Sequence, residues 1–283
     1  MRVLLAYNKF AGGFRPKLLN ALQMQLAKRG HLVFSVGTRD KEFSEELSRC
    51  DHVCVLGGDG TLRDSINLAR SFNVSPSFSI LPLGTINLVA REREYEKNAE
   101  IMATRIASLA DPVSHYTAKM NDDAFVACLS IGPDSYSVAR VTQKSKDKWG
   151  RLAYLFAFVQ QLMDWKRMEL SVKIDGETVR AEAIYVLKSK YFAGPWSLCR
   201  QADITLPQFS VILLPKARRR DFIRLIASAI ISPRFQSAKW TQLTCNDLHI
   251  SALTGTPVQA DGDIAGTLPM RVQIAPEPLR FTS

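Results

Sequence analysis

No stretch of this sequence holds the roughly 20 consecutive apolar residues that a membrane-spanning helix needs. The longest candidate run, Leu152–Val159, is interrupted by Tyr154. The first residues, Met1 to Lys9, carry one early charge and reach Asn8 and Lys9 too soon for a secretion signal, so they are expected to form a first strand. Cysteine is scarce: five residues, at 50, 54, 128, 199 and 245, form no CxxC pair, and four scattered histidines add no ligand spacing. A zinc site is therefore not expected, and the thiols read as free in a reducing cytoplasm. Neither a GxGxxG fingerprint nor a Walker loop is present, which argues against a Rossmann dehydrogenase and a P-loop enzyme. Finger, basic-zipper and aromatic-basic RNA motifs are missing too, so no nucleic-acid partner is expected.

What remains is an ordinary globular balance, with 46% hydrophobic and 23% charged residues over 283 positions. That length suffices for one large or two moderate domains. The 37 basic residues outnumber the 27 acidic ones, and the net charge of +10 calls for an anionic partner. A phosphate cofactor or an anionic membrane surface would serve.

The first 110 residues alternate two periodicities. Apolar strands are expected at Val3–Tyr7, Leu32–Val36, His52–Leu56 and Ser79–Leu83. Between them lie helical patterns such as Leu18, Leu19, Leu22 and Leu26, then Leu62–Arg70 and Asn98–Leu109. Alternation of this kind predicts a parallel sheet covered on both faces. After Asp111-Pro112 the texture becomes β-rich. Val113–Met120 and Ala124–Ser130 flank a polar turn, and Asp175-Gly176 separates two strand patterns as a hairpin would. Helices are expected around Trp149–Met163 and Arg220–Ile231. These patterns predict an α/β domain followed by a β-rich second domain that begins somewhere near 112–135.

Gly57-Gly58-Asp59-Gly60-Thr61 follows an apolar strand and opens a helix. Glycines permit tight turns and close approach to a phosphate, and a helix N-terminus favours anions. Asp59 could orient this loop or hold Mg²⁺, directly or through water; equally, Asp59 and Thr61 could act as helix caps. Gly84, Thr85 and Asn87 follow the next strand, and Asn8 ends the first. All three turns belong on the carboxyl edge of the sheet, where open α/β folds bind ligands.

Taken in order, Gly57–Thr61, Leu81-Pro82-Leu83-Gly84-Thr85 with Asn87, Ile131–Asp134 and Gln259-Ala260-Asp261-Gly262-Asp263 resemble the diacylglycerol kinase catalytic family, which includes bacterial lipid kinases and sphingosine kinases. The resemblance implies ATP and Mg²⁺ as cofactors and a lipid alcohol as substrate. It also implies an α/β nucleotide-binding domain over 1–128 and a β-rich antiparallel sandwich over 129–271, with 272–283 returning to the first domain. It places Gly57–Thr61, Gly84, Thr85 and Asn87 at the nucleotide and Asp134 in an acidic, water-linked Mg²⁺ network. Asp261 and Asp263 fall on the family's DGE triplet, beside the γ-phosphate and the acceptor hydroxyl. A base-like role goes to Asp261 and metal support to Asp263, and the two could be exchanged. This reading requires those carboxylates to meet a phosphate held by the turn near residue 59. Asp175-Gly176-Glu177 has a similar composition but reads as a plain turn.

Three departures from the family pattern stand out. Ile86 replaces a Gly, Leu88 replaces an Asp that can join the metal network, and Asp263 is one methylene shorter than the usual Glu. Two alternatives stay open: an NAD kinase-like phosphotransferase, since the Gly57–Thr61 element alone resembles NAD kinases too, and a noncatalytic nucleotide- or lipid-binding protein, which Leu88 and the altered triplet make credible. Trp149, Tyr154, Phe156, Phe158 and Trp165 could line an acceptor crevice or simply pack a helix. Lys144, Lys146, Lys148 and Arg151 form one basic cluster. Lys216, Arg218, Arg219, Arg220 and Arg224 form another beside an apolar helical pattern, and a peripheral encounter with the inner membrane face is expected from it.

Overall fold

The computed structural model describes residues 1–108, 112–141, 151–252 and 255–283, with the backbone alone at 151–155. Leu109, Trp149 and the cluster Lys144, Lys146 and Lys148 lie outside the described residues, as do the side chains of Arg151 and Tyr154. The chain forms two compact units, Met1–His115 with Glu277–Ser283, and Tyr116–Pro276.

The first unit runs β1 (Arg2–Tyr7), α1 (Pro16–Lys28), β2 (Leu32–Gly37), α2 (Phe43–Ser48), β3 (His52–Gly57), α3 (Asp59–Ser71), β4 (Ser77–Pro82), α4 (Leu88–Glu92), α5 (Ala99–Ala107) and β5 (Val113–His115). The last strand of the chain, β18 (Leu279–Phe281), completes its sheet in the order β2-β1-β3-β4-β18-β5. β1 to β4 are mutually parallel. Every residue of β3 is buried, as a strand covered on both faces must be. On α3, Leu62, Ser65, Ile66 and Ala69 repeat at helical spacing and are buried. β18 runs parallel to β4 and antiparallel to β5, and Phe281 fills the space between Phe78 and His115.

The second unit contains β6 (Ala118–Met120), β7 (Asp123–Phe125), β8 (Cys128–Ile131), α6 (Pro133–Arg140), α7 (Arg151–Met163), β9 (Leu170–Ile174), β10 (Glu177–Ala181), β11 (Ala183–Leu187), β12 (Phe209–Leu214), α8 (Arg219–Ile230), β13 (Thr241–Cys245), β14 (Asp247–Ser251), β15 (Pro257–Ala260), β16 (Asp263–Thr267) and β17 (Met270–Ile274). They form two six-stranded sheets, β10-β9-β14-β17-β6-β7 and β13-β12-β11-β8-β15-β16. Pairing between neighbours is antiparallel, and one apolar cluster draws Val172, Ile250 and Val272 from the first sheet and Leu129, Val186 and Val211 from the second. This is the α/β domain plus antiparallel sandwich that the sequence implied.

Several boundaries differ. The units divide at 115/116 rather than 128/129, because β6 and β7 pair with each other and with β17. The returning segment begins at Glu277 rather than 272, since β17 stays in the second unit's sheet. Val113–Met120 is not one strand: its first residues form β5 and its last form β6, in different sheets. The helix expected from Leu62 starts at Asp59, so only Gly58 stands between β3 and it. β13 and β16 are strands that sequence periodicity did not mark, both being largely exposed.

Candidate functional site

In the first unit the parallel register sets the carboxyl ends of β1, β3 and β4 side by side, with Tyr7 opposite Leu56 and Gly57 opposite Pro82. The turns then lock together through the backbone. Asn8 N–H donates to the Leu56 carbonyl (3.0 Å), and the amides of Leu83 and Gly84 both donate to the Gly57 carbonyl (2.8 and 3.0 Å). Gly13 N–H donates to Leu83 (3.0 Å), and Asn8 Nδ2 donates to Thr61 Oγ1 (3.3 Å). Asn8, the Gly57–Thr61 turn and Gly84 thus share one edge.

Gly58 and Gly84 are glycines because their backbones touch. A β-carbon on Gly84 would lie 2.6 Å from Gly58 Cα and 2.6 Å from Asn87 Oδ1. One on Gly58 would stand 3.1 Å from Gly84 Cα. Asn87 sits in the left-handed region, at φ 56, and its Nδ2 donates to the Gly84 carbonyl (2.9 Å). That bond assigns the amide orientation and leaves Oδ1 buried without a hydrogen-bond partner. The N-cap of α3, Gly58, supplies no side-chain cap. A backbone cradle closed to side chains, an uncapped helix start and an orphaned acceptor suit a nucleotide. Phosphate oxygens would take backbone N–H donors, and a sugar hydroxyl or base amino group would satisfy Asn87. Thr85 is exposed on the same turn, and Gly60 lies within the first turn of α3.

Asp59, expected at the phosphates and the metal, is placed otherwise. It is buried, and its two oxygens accept the amides of Leu88 (2.7 Å) and Val89 (3.0 Å). The capping alternative is the one realised, on α4 rather than on the helix that carries the residue. Burial pushes this carboxyl above the usual carboxylate range, against the pull of those amides. Leu88, where the family has an acid, is itself buried and contributes its N–H. Among the described residues no group of three His, Cys, Asp or Glu side chains could hold a metal ion.

In the second unit Asp261 and Gly262 form the two-residue link between β15 and β16, with φ values of 51 and 87. Positive φ at both positions is the type I′ hairpin turn, which Asp-Gly favours. Asp175 and Gly176 repeat it between β9 and β10 at 50 and 87. The two turns differ in what the carboxylate does. Asp175 is exposed. Asp261 Oδ2 accepts Val126 N–H (2.9 Å), while Oδ1 accepts Ala127 (2.8 Å) and Cys128 (3.2 Å). Charge-assisted bonds to three successive amides fix this side chain on the segment that leads from β7 into β8.

Asp134, in the first turn of α6, is half-buried and held by Ser130 Oγ and, at 3.5 Å, by Tyr185 OH. Burial raises its pKa and, with the carboxyl beside it, raises that of Tyr185. Gln259 ties this group to the acidic turn: its Nε2 donates to Ser130 Oγ (2.8 Å) and its Oε1 accepts Gly262 N–H (2.9 Å). Asp263 opens β16 half-exposed. Ser130, Tyr185, Gln259 and the amides of 126–128 were not assigned from the sequence. Ser130 and Gln259 are polar positions inside apolar strands, a readable signal, whereas the 126–128 amides leave none. Lys188 gives a similar signal at the end of β11. It is buried, and its Nζ donates to the carbonyls of Asp203 (3.2 Å), Leu206 (2.6 Å) and Gln208 (2.6 Å). Trp165 proves to be core: its Nε1 donates to the Ala217 carbonyl (2.9 Å), and Tyr136 and Phe222 pack edge-on to it.

Comparison with known proteins agrees in both units. Residues 2–116 match the diacylglycerol kinase catalytic domain, and residues 127–283 match the YegS C-terminal NAD kinase beta sandwich-like domain. A diacylglycerol kinase of Bacillus subtilis is 23% identical over 79% of this chain and 74% of its own length. One from Staphylococcus saprophyticus is 25% identical over 95% of this chain and 90% of its own. The crystal structure of a diacylglycerol kinase from Bacillus anthracis superposes with a TM-score of 0.77 at 18% identity, covering 99% of this chain and 96% of that one, which shows a common fold. With the two domain types matched in order over nearly the whole chain, the protein belongs to the diacylglycerol kinase catalytic family.

Proposed function

We propose that this family member is an ATP-dependent lipid kinase, transferring the γ-phosphoryl group to a hydroxyl of diacylglycerol or a related long-chain lipid alcohol in the cytoplasm. The observation that carries the proposal is the contrast between two Asp-Gly turns of the same backbone geometry. Only the Asp261 turn, the one in the family's motif position, has its carboxylate fixed by three amides. A carboxylate so oriented serves phosphoryl transfer, whose transition state demands alignment and charge placement more than a strong base. Asp261 would orient the acceptor hydroxyl and receive its proton late in transfer. The glycine cradle at Gly58 and Gly84 would bind the phosphates through the backbone, with Asn87 Oδ1 accepting from the nucleoside.

Mg²⁺ would arrive with ATP. It is commonly held by substrate phosphates and water with only one or two carboxylates, and it neutralises charge on the transferred group. The described residues form no protein-only cage for it. Asp263 is the half-exposed acid nearest in sequence to Asp261 and remains the candidate for metal support.

The test is a screen of extracted lipids with radiolabelled ATP and Mg²⁺, with NAD as a parallel acceptor and Asp261→Asn as the comparison. Labelled phosphatidic acid or another phospholipid is expected from the wild type, with the label lost in the variant. Labelled NADP would move the assignment to NAD kinase chemistry. Tight ATP binding with no labelled product would make the protein a noncatalytic binder.

A further inference from the structure

Helix α8 presents two faces that normally exclude each other. Phe222, Leu225 and Ser228 are buried and attach it to the second unit. On the opposite side Ile223, Ile226 and Ile230 are 63%, 39% and 50% exposed, and just beyond the helix Ile231 and Phe235 are 70% and 47% exposed. At about 100° per residue the three helical isoleucines form a single stripe. Arg220 and Arg224 fall along one flank of that stripe and are exposed. Among the described residues no ion pair involves either arginine. Arg219 is committed differently: its guanidinium donates to the carbonyls of Leu162 and Met163, bringing the exposed Met163 of α7 to the start of the same surface.

Large aliphatic side chains in a row, exposed and edged by exposed guanidinium groups, form an amphipathic surface with the composition of an interfacial helix. We propose that this face of α8, with Ile231 and Phe235, is a docking surface for an anionic lipid bilayer. In that state the helix lies in the plane of the headgroups, with its isoleucines among the acyl chains and Arg220 and Arg224 at the phosphates. No helix of the described residues is long and apolar enough to cross a membrane, so the contact is peripheral. Charge selects the lipid occupant over a second copy of this chain. Self-association would bring Arg220 and Arg224 against their counterparts on a protein of net charge +10. The docking surface deepens the lipid-kinase reading by bringing the protein to its acceptor, yet its test needs neither nucleotide nor acceptor lipid.

The full chain is sedimented with vesicles of phosphatidylcholine alone, or of equal parts phosphatidylcholine and phosphatidylglycerol. Binding to the anionic vesicles is expected, with little to the neutral ones, and it should weaken as salt rises. Each arginine near the surface contributes about 1 kcal/mol, so Arg220→Gln with Arg224→Gln should weaken partitioning about thirtyfold. Ile223→Asn with Ile230→Asn should weaken it by more than about tenfold, since both aliphatic side chains would leave the bilayer. Both pairs replace exposed side chains, and their unfolding midpoints, measured alongside, should match the wild type. Should the isoleucine pair fail to fold, the arginine pair still decides. Unchanged binding in the folded variants would overturn the proposal, as would no binding by the wild type. So would a concentration-dependent dimer abolished by the isoleucine substitutions. Kinase activity without vesicle binding would reject this surface and leave the catalytic reading standing.

Discussion

Replacing Asp261 by Asn tests whether the carboxylate is a structural clasp as well as a chemical group. The backbone should not object, because Asn tolerates the left-handed conformation at φ 51 as readily as Asp. The side chain should. Asn can keep one oxygen for Ala127 and Cys128, but its NH₂ then faces the N–H of Val126, a fully buried residue. A buried donor left opposite another donor costs about 1–3 kcal/mol, and the surviving bonds lose their charge assistance, so about 2–4 kcal/mol is expected. Asp175→Asn is the internal control, with the same turn and an exposed side chain, and should stay within about 0.5 kcal/mol of wild type. Urea unfolding measures the difference. Native-state hydrogen exchange localises it, with the amides of Val126, Ala127 and Cys128 exchanging faster in Asp261→Asn alone. Turnover must then be measured where the variant is fully folded, so that lost activity reports chemistry. Equal stabilities and equal exchange in the two variants would refute the clasp and with it the physical distinction between the turns.

Gly84→Ala should abolish ATP binding measured by calorimetry, because the new methyl would overlap Gly58 Cα; an accompanying destabilisation of about 1–3 kcal/mol is expected from overpacking. Unchanged ATP affinity would show that the cradle binds nothing. His52 should make the protein acid-sensitive. Its ring is buried between Ser77 Oγ (2.9 Å) and Ser79 Oγ (2.8 Å), and burial, with His31 adding to it, lowers its pKa to about 3. Between that value and about 6.5 the unfolded chain binds more protons than the folded one, so stability falls as pH drops, by up to about 1.4 kcal/mol per unit. His52→Asn should remove that slope in unfolding measured across this range, and a slope left unchanged would clear His52 of responsibility. Phe281→Ala should destabilise the first unit by about 3–5 kcal/mol, since the ring is fully buried against Phe78 and His115. A urea midpoint shift equivalent to less than about 1 kcal/mol would mean that the C-terminal strand is dispensable.

The alternating architecture was legible because β3 and β4 are apolar runs bounded by turn residues, and α1 and α3 bury leucine and isoleucine at helical spacing. The division between the units was less so. Residues 113–120 look like one strand, yet Val113–His115 pairs with β18 and Ala118–Met120 with β17, and such partners are chosen by distant parts of the chain. The glycine turn and the acidic triplet were visible as motifs. The fate of Asp59 was not, because its acceptors are matched by amides 29 and 30 residues away. Likewise the two Asp-Gly turns are equivalent as local sequence, and each closes a hairpin of the same geometry.

Local composition by itself therefore determined the α/β-then-β order, the glycine-rich turn, the lack of an apolar run long enough to span a membrane and the basic net charge. Those properties follow from periodicity, glycine content and charge, which are carried by neighbours along the chain. Tertiary structure alone decided which aspartate is clasped by Val126–Cys128, which glycines must touch, and which isoleucines of α8 stay in solvent. Each of these depends on a backbone brought from elsewhere in the sequence, and a backbone amide or a covered face has no letter of its own.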